Sequence, residues 1–120
     1  MKTTIKATNV TLTDNINDYV EKRLAAIEKL VSGDDTSALC AIEVEKTTEH
    51  HKSGQIFRAE FNLHISGGDF RAESSKETLF DAIDSAKDEI VRELRRHKNK
   101  KIKNVRRGGA KLKGRIHGEK

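Results

Sequence analysis

The segment QIFRAEFNLHIS, residues 55–66, places apolar and polar side chains at alternate positions over nearly its whole length. Its apolar set comprises Phe57, Ala59, Phe61, Leu63 and Ile65. Strict alternation indicates a β-strand with one face in the core and the other in water. A sheet built on such a strand is covered on one side only, so the segment predicts a two-layer fold.

The other periodic segments complete a βαβββα order. Residues 3–9, 39–46 and 67–74 are typical of strands, the last of them opened by a Gly67-Gly68 hairpin turn. A first helix is predicted from a cap at Thr13 or Asp14 to Gly33. A second helix is predicted from the capping-box pattern Ser74-x-x-Glu77. Its expected core stripe is Leu79, Phe80, Ile83, Ala86, Ile90, Val91 and Leu94.

Both helices are expected on the same sheet face, because the other face carries charged side chains. The predicted fold class is α+β: a two-layer βαβββα sandwich with a four-stranded mixed sheet, strands one and two parallel, and two helices on one face. Residues 1–100 are expected to form one domain. Residues 101–120 contain four glycines among basic residues and lack a sustained apolar period, so they are predicted to be a disordered basic tail.

Charge is distributed unevenly along the chain. Residues 1–97 carry 14 Lys and Arg against 18 Asp and Glu, a net of −4, whereas residues 98–120 carry 10 against one, a net of +9. Such an end favours a polyanionic partner, with nucleic acid preferred over an anionic membrane. The sequence has no apolar run long enough for a membrane span, and no signal peptide is expected. Its single cysteine, Cys40, fits a reducing setting. A cytoplasmic location is expected.

Basic side chains fall on the outer faces of the two predicted helices. Arg92, Arg95 and Arg96 lie opposite the core stripe of the second helix, and Lys22 and Lys29 project outward from the first helix. Arg23, at the flank of the apolar stripe, can reach either way. A solvated helix face, or charges that complement the helix dipole, remain alternatives to a binding surface. Because the aromatic side chains are expected on core faces, we expect recognition of phosphate and shape rather than of individual bases.

Three stretches carry a resemblance to a known family: NVTLTDNINDYVEKRLAAIEKL, FNLHISGGDFRAESSKETLFDAID and IVRELRRHKNK. Because these stretches follow one another in a characteristic order and spacing over residues 3–100, the sequence resembles the short form of the ribosome hibernation-promoting factor and protein Y family. The resemblance implies a fold like the double-stranded RNA-binding domain. It also implies binding to the small ribosomal subunit and its ribosomal RNA, in the channel that holds messenger RNA and the A- and P-site transfer RNAs. Translation would be blocked and inactive ribosomes preserved under stress, with no reaction catalysed.

Several basic residues match basic positions of that family, namely Arg23, Lys29, Arg92 and Arg96, and Lys98, Lys100 and Lys101 continue its basic end. Ala26 and Glu89 stand where some relatives carry Lys. The expected RNA-binding set is therefore Lys22, Arg23, Lys29, Arg92, Arg95, Arg96, Lys98, Lys100 and Lys101. The protein is expected to be a monomer off the ribosome.

Two other classes of function are weighed against this one. An enzyme or metal protein would draw on the loop cluster Glu49-His50-His51, but its spacing fits no known metal motif, so no catalytic residue, metal or cofactor is predicted. Cys40 is interpreted as a core residue, and Ser74 and Ser75 as helix caps rather than nucleophiles. A generic structured-RNA-binding protein or a ribosome-assembly factor of similar fold remains the alternative.

Overall fold

A computed structural model describes residues 1–48 and 55–114 of the chain, and the side chains of residues 1–47 and 56–99. The elements are β1 Lys2–Thr8, α1 Asp14–Glu28, β2 Leu39–Thr48, β3 Gln55–Ile65, β4 Gly68–Lys76 and α2 Leu79–Gly114. They form one four-stranded sheet of order β1-β2-β3-β4, in which β1 and β2 are parallel and the other pairs antiparallel. The predicted α+β fold is confirmed.

The core lies between one face of the sheet and the two helices. Ile42, Phe61 and Ala72 lie opposite one another on adjacent strands and are buried. Ile27 of α1 and Ile90 of α2 are fully buried in the same cluster. Burial of each large apolar side chain in this core stabilises the folded protein by about 1.5–3 kcal/mol. The alternation of β3 therefore predicts the buried face correctly.

The first helix begins at its predicted cap and ends earlier than predicted. The Thr13 side chain accepts a hydrogen bond from the Ile16 amide at 3.2 Å. The helix ends at Glu28 rather than near Gly33, because the next amides turn back more tightly. Leu30 donates to the Ile27 carbonyl and Val31 to the Glu28 carbonyl, an i to i−3 pattern that tightens and closes the last turn.

The second helix does not begin at the predicted capping box. Ser74 and Ser75 lie in β4, opposite Ala59 and Arg58, because pairing with β3 keeps this segment extended as far as Lys76. The cap is Thr78, whose hydroxyl accepts from the Asp81 amide at 3.1 Å. The interpretation of the two serines as caps is thus wrong.

The predicted core stripe is confirmed at Leu79, Ile83, Ala86, Ile90 and Leu94, which are buried, and it differs at Phe80 and Ala82. Ala82 and Ile83 take positions against the sheet and are fully buried. Phe80 lies to one side with 41% of its surface exposed, and its ring meets the edge of Tyr19 with 4.7 Å between centroids. Phe80 therefore contacts the other helix at the surface rather than filling the core.

The backbone of α2 continues beyond the predicted end of the domain. Residues 101–114 are helical in the structure, whereas the sequence analysis predicts a disordered tail there. The segment has no proline, and Lys, Arg, Ala and Leu favour helix. The strongest opposition inside it comes from Gly108 and Gly109, at about 1 kcal/mol each. Residues 115–120 lie outside the described part. The division into a domain of residues 1–100 and a basic extension of 101–120 stays a prediction.

Candidate nucleic-acid interface

The two helices lie side by side and run in the same direction. Near the middle of α1, the Arg23 Nε atom is 2.8 Å from Asp84 Oδ1, early in α2. Just beyond the end of α1, the Leu30 carbonyl accepts from Lys98 Nζ at 3.3 Å, late in the described side chains of α2. The C-terminal end of α1 therefore meets the part of α2 around Lys98, a region rich in basic residues. We call this the basic end, and it comprises Lys29, Arg92, Arg95, Arg96 and Lys98.

The arginines of α2 occupy the solvent face that the sequence predicts. Ile90 and Leu94 are buried against the sheet, whereas Arg92, Arg95 and Arg96 are exposed. The three arginines border a shallow depression on the helix surface. Of the three, Arg92 is already paired, with its Nη1 atom 2.6 Å from Glu89 Oε1. Among the described side chains, Arg95 and Arg96 have no ion-pair partner, so their guanidinium groups are available to a ligand.

The predicted basic residues on the outer face of α1 are also exposed. Lys22 and Lys29 point to solvent, and the small side chains of Ala25 and Ala26 lie between them along the helix. Neither lysine pairs with a carboxylate within residues 1–47 and 56–99. Because the alanine side chains are short, a phosphate backbone can approach the helix closely between the two lysines.

Arg23 faces the other helix rather than solvent. Its guanidinium lies 3.4 Å from the centre of the Tyr19 ring and binds the Asp84 carboxylate, which also accepts from the Tyr19 hydroxyl. Partial burial would raise the pKa of Asp84, but the hydrogen bonds from Tyr19 and Arg23 lower it overall. The hydrogen bond that the Tyr19 hydroxyl donates to Asp84 raises the pKa of Tyr19. Asp84 of α2 thus bridges the two helices through Tyr19 and Arg23 of α1.

Lys98 combines a structural contact with exposure. Its ammonium group donates to the Leu30 carbonyl, one of the backbone acceptors that follow the last turn of α1. An ammonium has three donors, so two remain for a ligand. Lys100 and Lys101 belong to α2 by backbone, and their side chains lie outside the described part.

The outer face of the sheet is charged as predicted, but its charges bind one another. Arg58 lies 2.7 Å from Glu60, 2.6 Å from Glu73 and 3.5 Å from Glu45. Arg71 bridges Glu60 and Glu73 from the edge strand. Burial would raise the pKa of Glu60, but hydrogen bonds from Arg71 and Arg58 lower it overall. The sequence signal for this network, opposite charges on facing strands, is visible only once the strand register is known.

The described residues offer little for metal or nucleophilic chemistry. No group of three or more His, Cys, Asp and Glu among them is arranged to hold a metal ion. Cys40 is fully buried, as predicted for a core residue, and burial raises its pKa to about 12. The Glu49-His50-His51 cluster lies outside the described residues. Over the same part of the chain, no helix combines the length and apolar character required to cross a membrane.

Comparison with known proteins identifies relatives over most of the chain. It is 32% identical over 103 residues to a ribosome hibernation promotion factor of Picosynechococcus, covering 83% of this chain and 50% of that relative. It is 29% identical over 102 residues to a ribosome hibernation promoting factor of Azotobacter vinelandii, covering 85% of this chain and 87% of the relative. The chain thus spans half the length of one relative and most of the other.

The fold has solved counterparts. The N-terminal domain of Thermus thermophilus protein Y is 29% identical, with a TM-score of 0.64 and coverage of 80% of this chain and 98% of that domain. A ribosomal subunit interface protein from Coxiella burnetii shares the fold at 12% identity and a TM-score of 0.61. These relatives are named as ribosome proteins rather than enzymes, which agrees with the prediction that the chain is not an enzyme. Residues 3–102 match the sigma 54 modulation protein / S30EA ribosomal protein family, and the chain belongs to this family.

Proposed function

We propose that the protein is a ribosome hibernation factor that binds the small ribosomal subunit through its basic end and blocks translation. The observation that carries the proposal is the pair of exposed guanidinium groups of Arg95 and Arg96, which have no ion-pair partner among the described side chains, on the same stretch of helix as exposed Lys98. The names of the relatives support a ribosomal partner. A ribosome-binding protein of this kind acts in the cytoplasm.

The surface suits ribosomal RNA because its donors are cationic and held on rigid helices. Arginine binds phosphate through two parallel N–H donors, and lysine acts as a mobile point charge. The core contacts of Ile90 and Leu94 fix the direction in which the α2 arginines point. Such contacts position the protein on folded RNA by its backbone and shape rather than by base sequence.

In this proposal the mechanism is occupation of a site. The ligand is the ribosomal RNA that lines the channel for messenger RNA and the A- and P-site transfer RNAs. A protein seated there excludes the translation substrates without changing a covalent bond. Residues of the proposed contact are Lys22, Lys29, Arg92, Arg95, Arg96 and Lys98, with Lys100 and Lys101 following on α2. Arg23 acts through the helix pairing, because its guanidinium is engaged by Asp84 and Tyr19.

The test combines sedimentation with in-vitro translation. The full chain is mixed with purified small subunits and separated on a gradient, and the same preparation is titrated into a translation reaction. We expect co-sedimentation with the small subunit and inhibition over the same concentration range. Transfer RNA prebound to the A and P sites should compete with the protein. Binding without inhibition or competition would instead indicate an assembly factor or a generic RNA-binding protein, and absence of binding at low salt would refute the proposal.

A further inference from the structure

A pocket of about 190 Å³ opens beside the basic end. It lies where the segment after α1, the β3–β4 turn and α2 meet. Its apolar lining comes from Leu30, Val31, Ile65 and Leu94, and its polar lining from Ser32, Asp35, Ser66, His97 and Lys98. Lys98 belongs both to the pocket and to the basic end, so the two sites are continuous.

The walls of the pocket are held in place by specific contacts. The Asp35 carboxylate accepts from the Ser66 amide at 2.9 Å and from the Ser37 hydroxyl at 2.7 Å, which ties the loop after α1 to the β3–β4 turn. These bonds, led by that from Ser66, lower the pKa of Asp35 to about 2. The cavity is therefore bounded by segments that are bonded to one another.

The helix side of the pocket is equally constrained. The His97 ring packs edge-on against Phe70, with 5.1 Å between centroids. A Cβ atom at Gly67 would lie 3.1 Å from His97 Nε2, so glycine allows the turn to approach the imidazole closely. Lys98 is anchored by the Leu30 carbonyl at the same rim.

We propose that this pocket receives one unstacked nucleobase of the RNA strand whose phosphates lie on the basic end. The inference deepens the proposed function and rests on it. A mostly apolar cavity with a few polar groups at its rim suits a planar heterocycle. Splayed bases of folded RNA are held in this way, by stacking and by hydrogen bonds to their edges. Lys98 at the rim and the arginines of the basic end favour a ligand that carries a phosphate and disfavour a basic side chain of a ribosomal protein. The Asp35 carboxylate also lines the pocket, but it is engaged by hydrogen bonds from Ser66 and Ser37.

Nuclear magnetic resonance of the ¹⁵N-labelled full chain tests the pocket directly. The probes are AMP, GMP, CMP and UMP, each compared at low salt with ribose 5-phosphate, which carries the phosphate without the base. We expect at least one nucleotide to shift the amide signals of Val31, Ser66, Gly67 and His97. Ribose 5-phosphate should bind at least about fivefold more weakly, the lower end of what a stacked base contributes. Equal binding of the sugar phosphate would overturn the proposal.

A matched pair of variants separates the pocket from the rest of the surface. Ser32→Trp places a large side chain at the exposed rim, whereas Thr36→Trp adds the same side chain to an exposed position of the same loop away from the pocket. Unchanged amide signals of the sheet verify that both variants fold. Nucleotide binding should be lost in Ser32→Trp and kept in Thr36→Trp, and small-subunit affinity should fall about fivefold in the first alone.

The outcomes distinguish this inference from the function on which it rests. Small-subunit binding that is identical in both variants, with no preference for nucleotides, would refute the pocket and leave the hibernation proposal standing. Nucleotide binding in the pocket without any small-subunit binding would support a nucleobase pocket and refute the hibernation proposal. If Ser32→Trp bound the small subunit more weakly than Thr36→Trp but the wild type showed no preference for nucleotides, the pocket would be assigned to a protein side chain. That result would overturn the nucleobase proposal.

Discussion

Two surfaces of this protein carry arginine and glutamate in close proximity, and they differ in how those charges are used. On the outer sheet face, Arg58 and Arg71 are each shared between glutamates, and Glu60 is buried beneath them. At the basic end, Arg95 and Arg96 stand in solvent, with no carboxylate partner among the described side chains. Pairing, rather than the number of charges, therefore separates a stabilising network from a surface that can bind phosphate.

The backbone explains the difference. Adjacent strands place side chains about 5 Å apart in fixed rows, so opposite charges on neighbouring strands meet. On the exposed end of a helix, a side chain has only neighbours three or four residues away on the same helix. Arg92 pairs with such a neighbour, Glu89. Arg95 has no acidic residue at this spacing, and Glu93, three residues before Arg96, forms no ion pair with it in the described part of the chain.

The largest expected effect comes from reversing charge at the basic end. The double change Arg92→Glu and Arg96→Glu should abolish small-subunit binding, a loss of at least about 100-fold, because phosphate contacts are replaced by repulsion. Both side chains are exposed, so the thermal unfolding midpoint should stay near that of the wild type. Affinity is measured by gradient sedimentation or filter binding.

The matched control reverses the same amount of charge on the sheet. Lys2 and Lys76 are exposed on β1 and β4, and neither pairs with a carboxylate in the described part. The double change Lys2→Glu and Lys76→Glu should reduce affinity only slightly, through net charge. Equal losses in the two double variants would mean that overall charge, and not the basic end, governs binding.

The next effect is on stability. Replacing Glu60 with Gln removes the buried charge that Arg58 and Arg71 share, and it should lower the free energy of unfolding by about 1–2 kcal/mol. Glu43→Gln is the control, since Glu43 lies opposite Glu60 on β2 without an ion pair in the described part. Urea unfolding measures both, and small-subunit affinity should change in neither.

The pH dependence of stability tests whether the Glu60 contact acts through its charge. The pKa of Glu60 is lowered in the folded protein, so its contribution is complete above the unfolded pKa and is lost as the pH falls through the folded pKa. Wild type and Glu60→Gln should therefore converge in stability in acid. A difference that persists there would show that the contact stabilises by packing rather than by charge.

Smaller effects are expected from Arg23 and Lys22, two neighbouring residues of α1. A change at Arg23 should affect stability, and a change at Lys22 should affect small-subunit affinity. Arg23→Gln removes the contacts with Asp84 and Tyr19 and should cost about 1 kcal/mol of stability, with affinity changed by less than about twofold. Lys22→Gln should leave stability unchanged and weaken small-subunit binding. If Arg23→Gln weakened binding at unchanged stability, Arg23 would belong to the RNA contact after all.

The smallest effect should be a gain. Glu89→Gln releases Arg92 from its ion pair and should raise small-subunit affinity about threefold at low salt. Glu77→Gln makes the same charge change in the exposed segment just before α2, away from the basic end, and serves as the comparison. Equal gains would attribute the effect to net charge, and no gain in either would argue against a phosphate contact by Arg92.

The fold could be predicted largely from periodicity. The alternation of residues 55–66 identifies the buried face, and the helical spacing around Ile27 and Ile90 identifies what covers it. Element ends could not be predicted as well, because they depend on strand pairing and on the backbone bonds of the last helical turn. Pairing with β3 holds Ser74 in a strand, and tight turn bonds at Leu30 end α1 before Gly33.

The candidate site follows the same division. Helical phase alone predicts that Lys22, Lys29, Arg92, Arg95 and Arg96 are exposed. It cannot tell that Arg23 binds Asp84, because that contact joins residues 61 positions apart. The pocket beside Lys98 was likewise hidden from the sequence, since its lining comes from three separate segments.

The most direct test of the central claim is the salt dependence of small-subunit binding, measured for the wild type and for the Arg92→Glu, Arg96→Glu variant. If exposed cations neutralise phosphates, log affinity should fall linearly with log salt, with a slope approaching the number of phosphates neutralised. Residual binding by the variant should show a slope shallower by about two. A wild-type complex whose affinity does not change with salt would contradict the account.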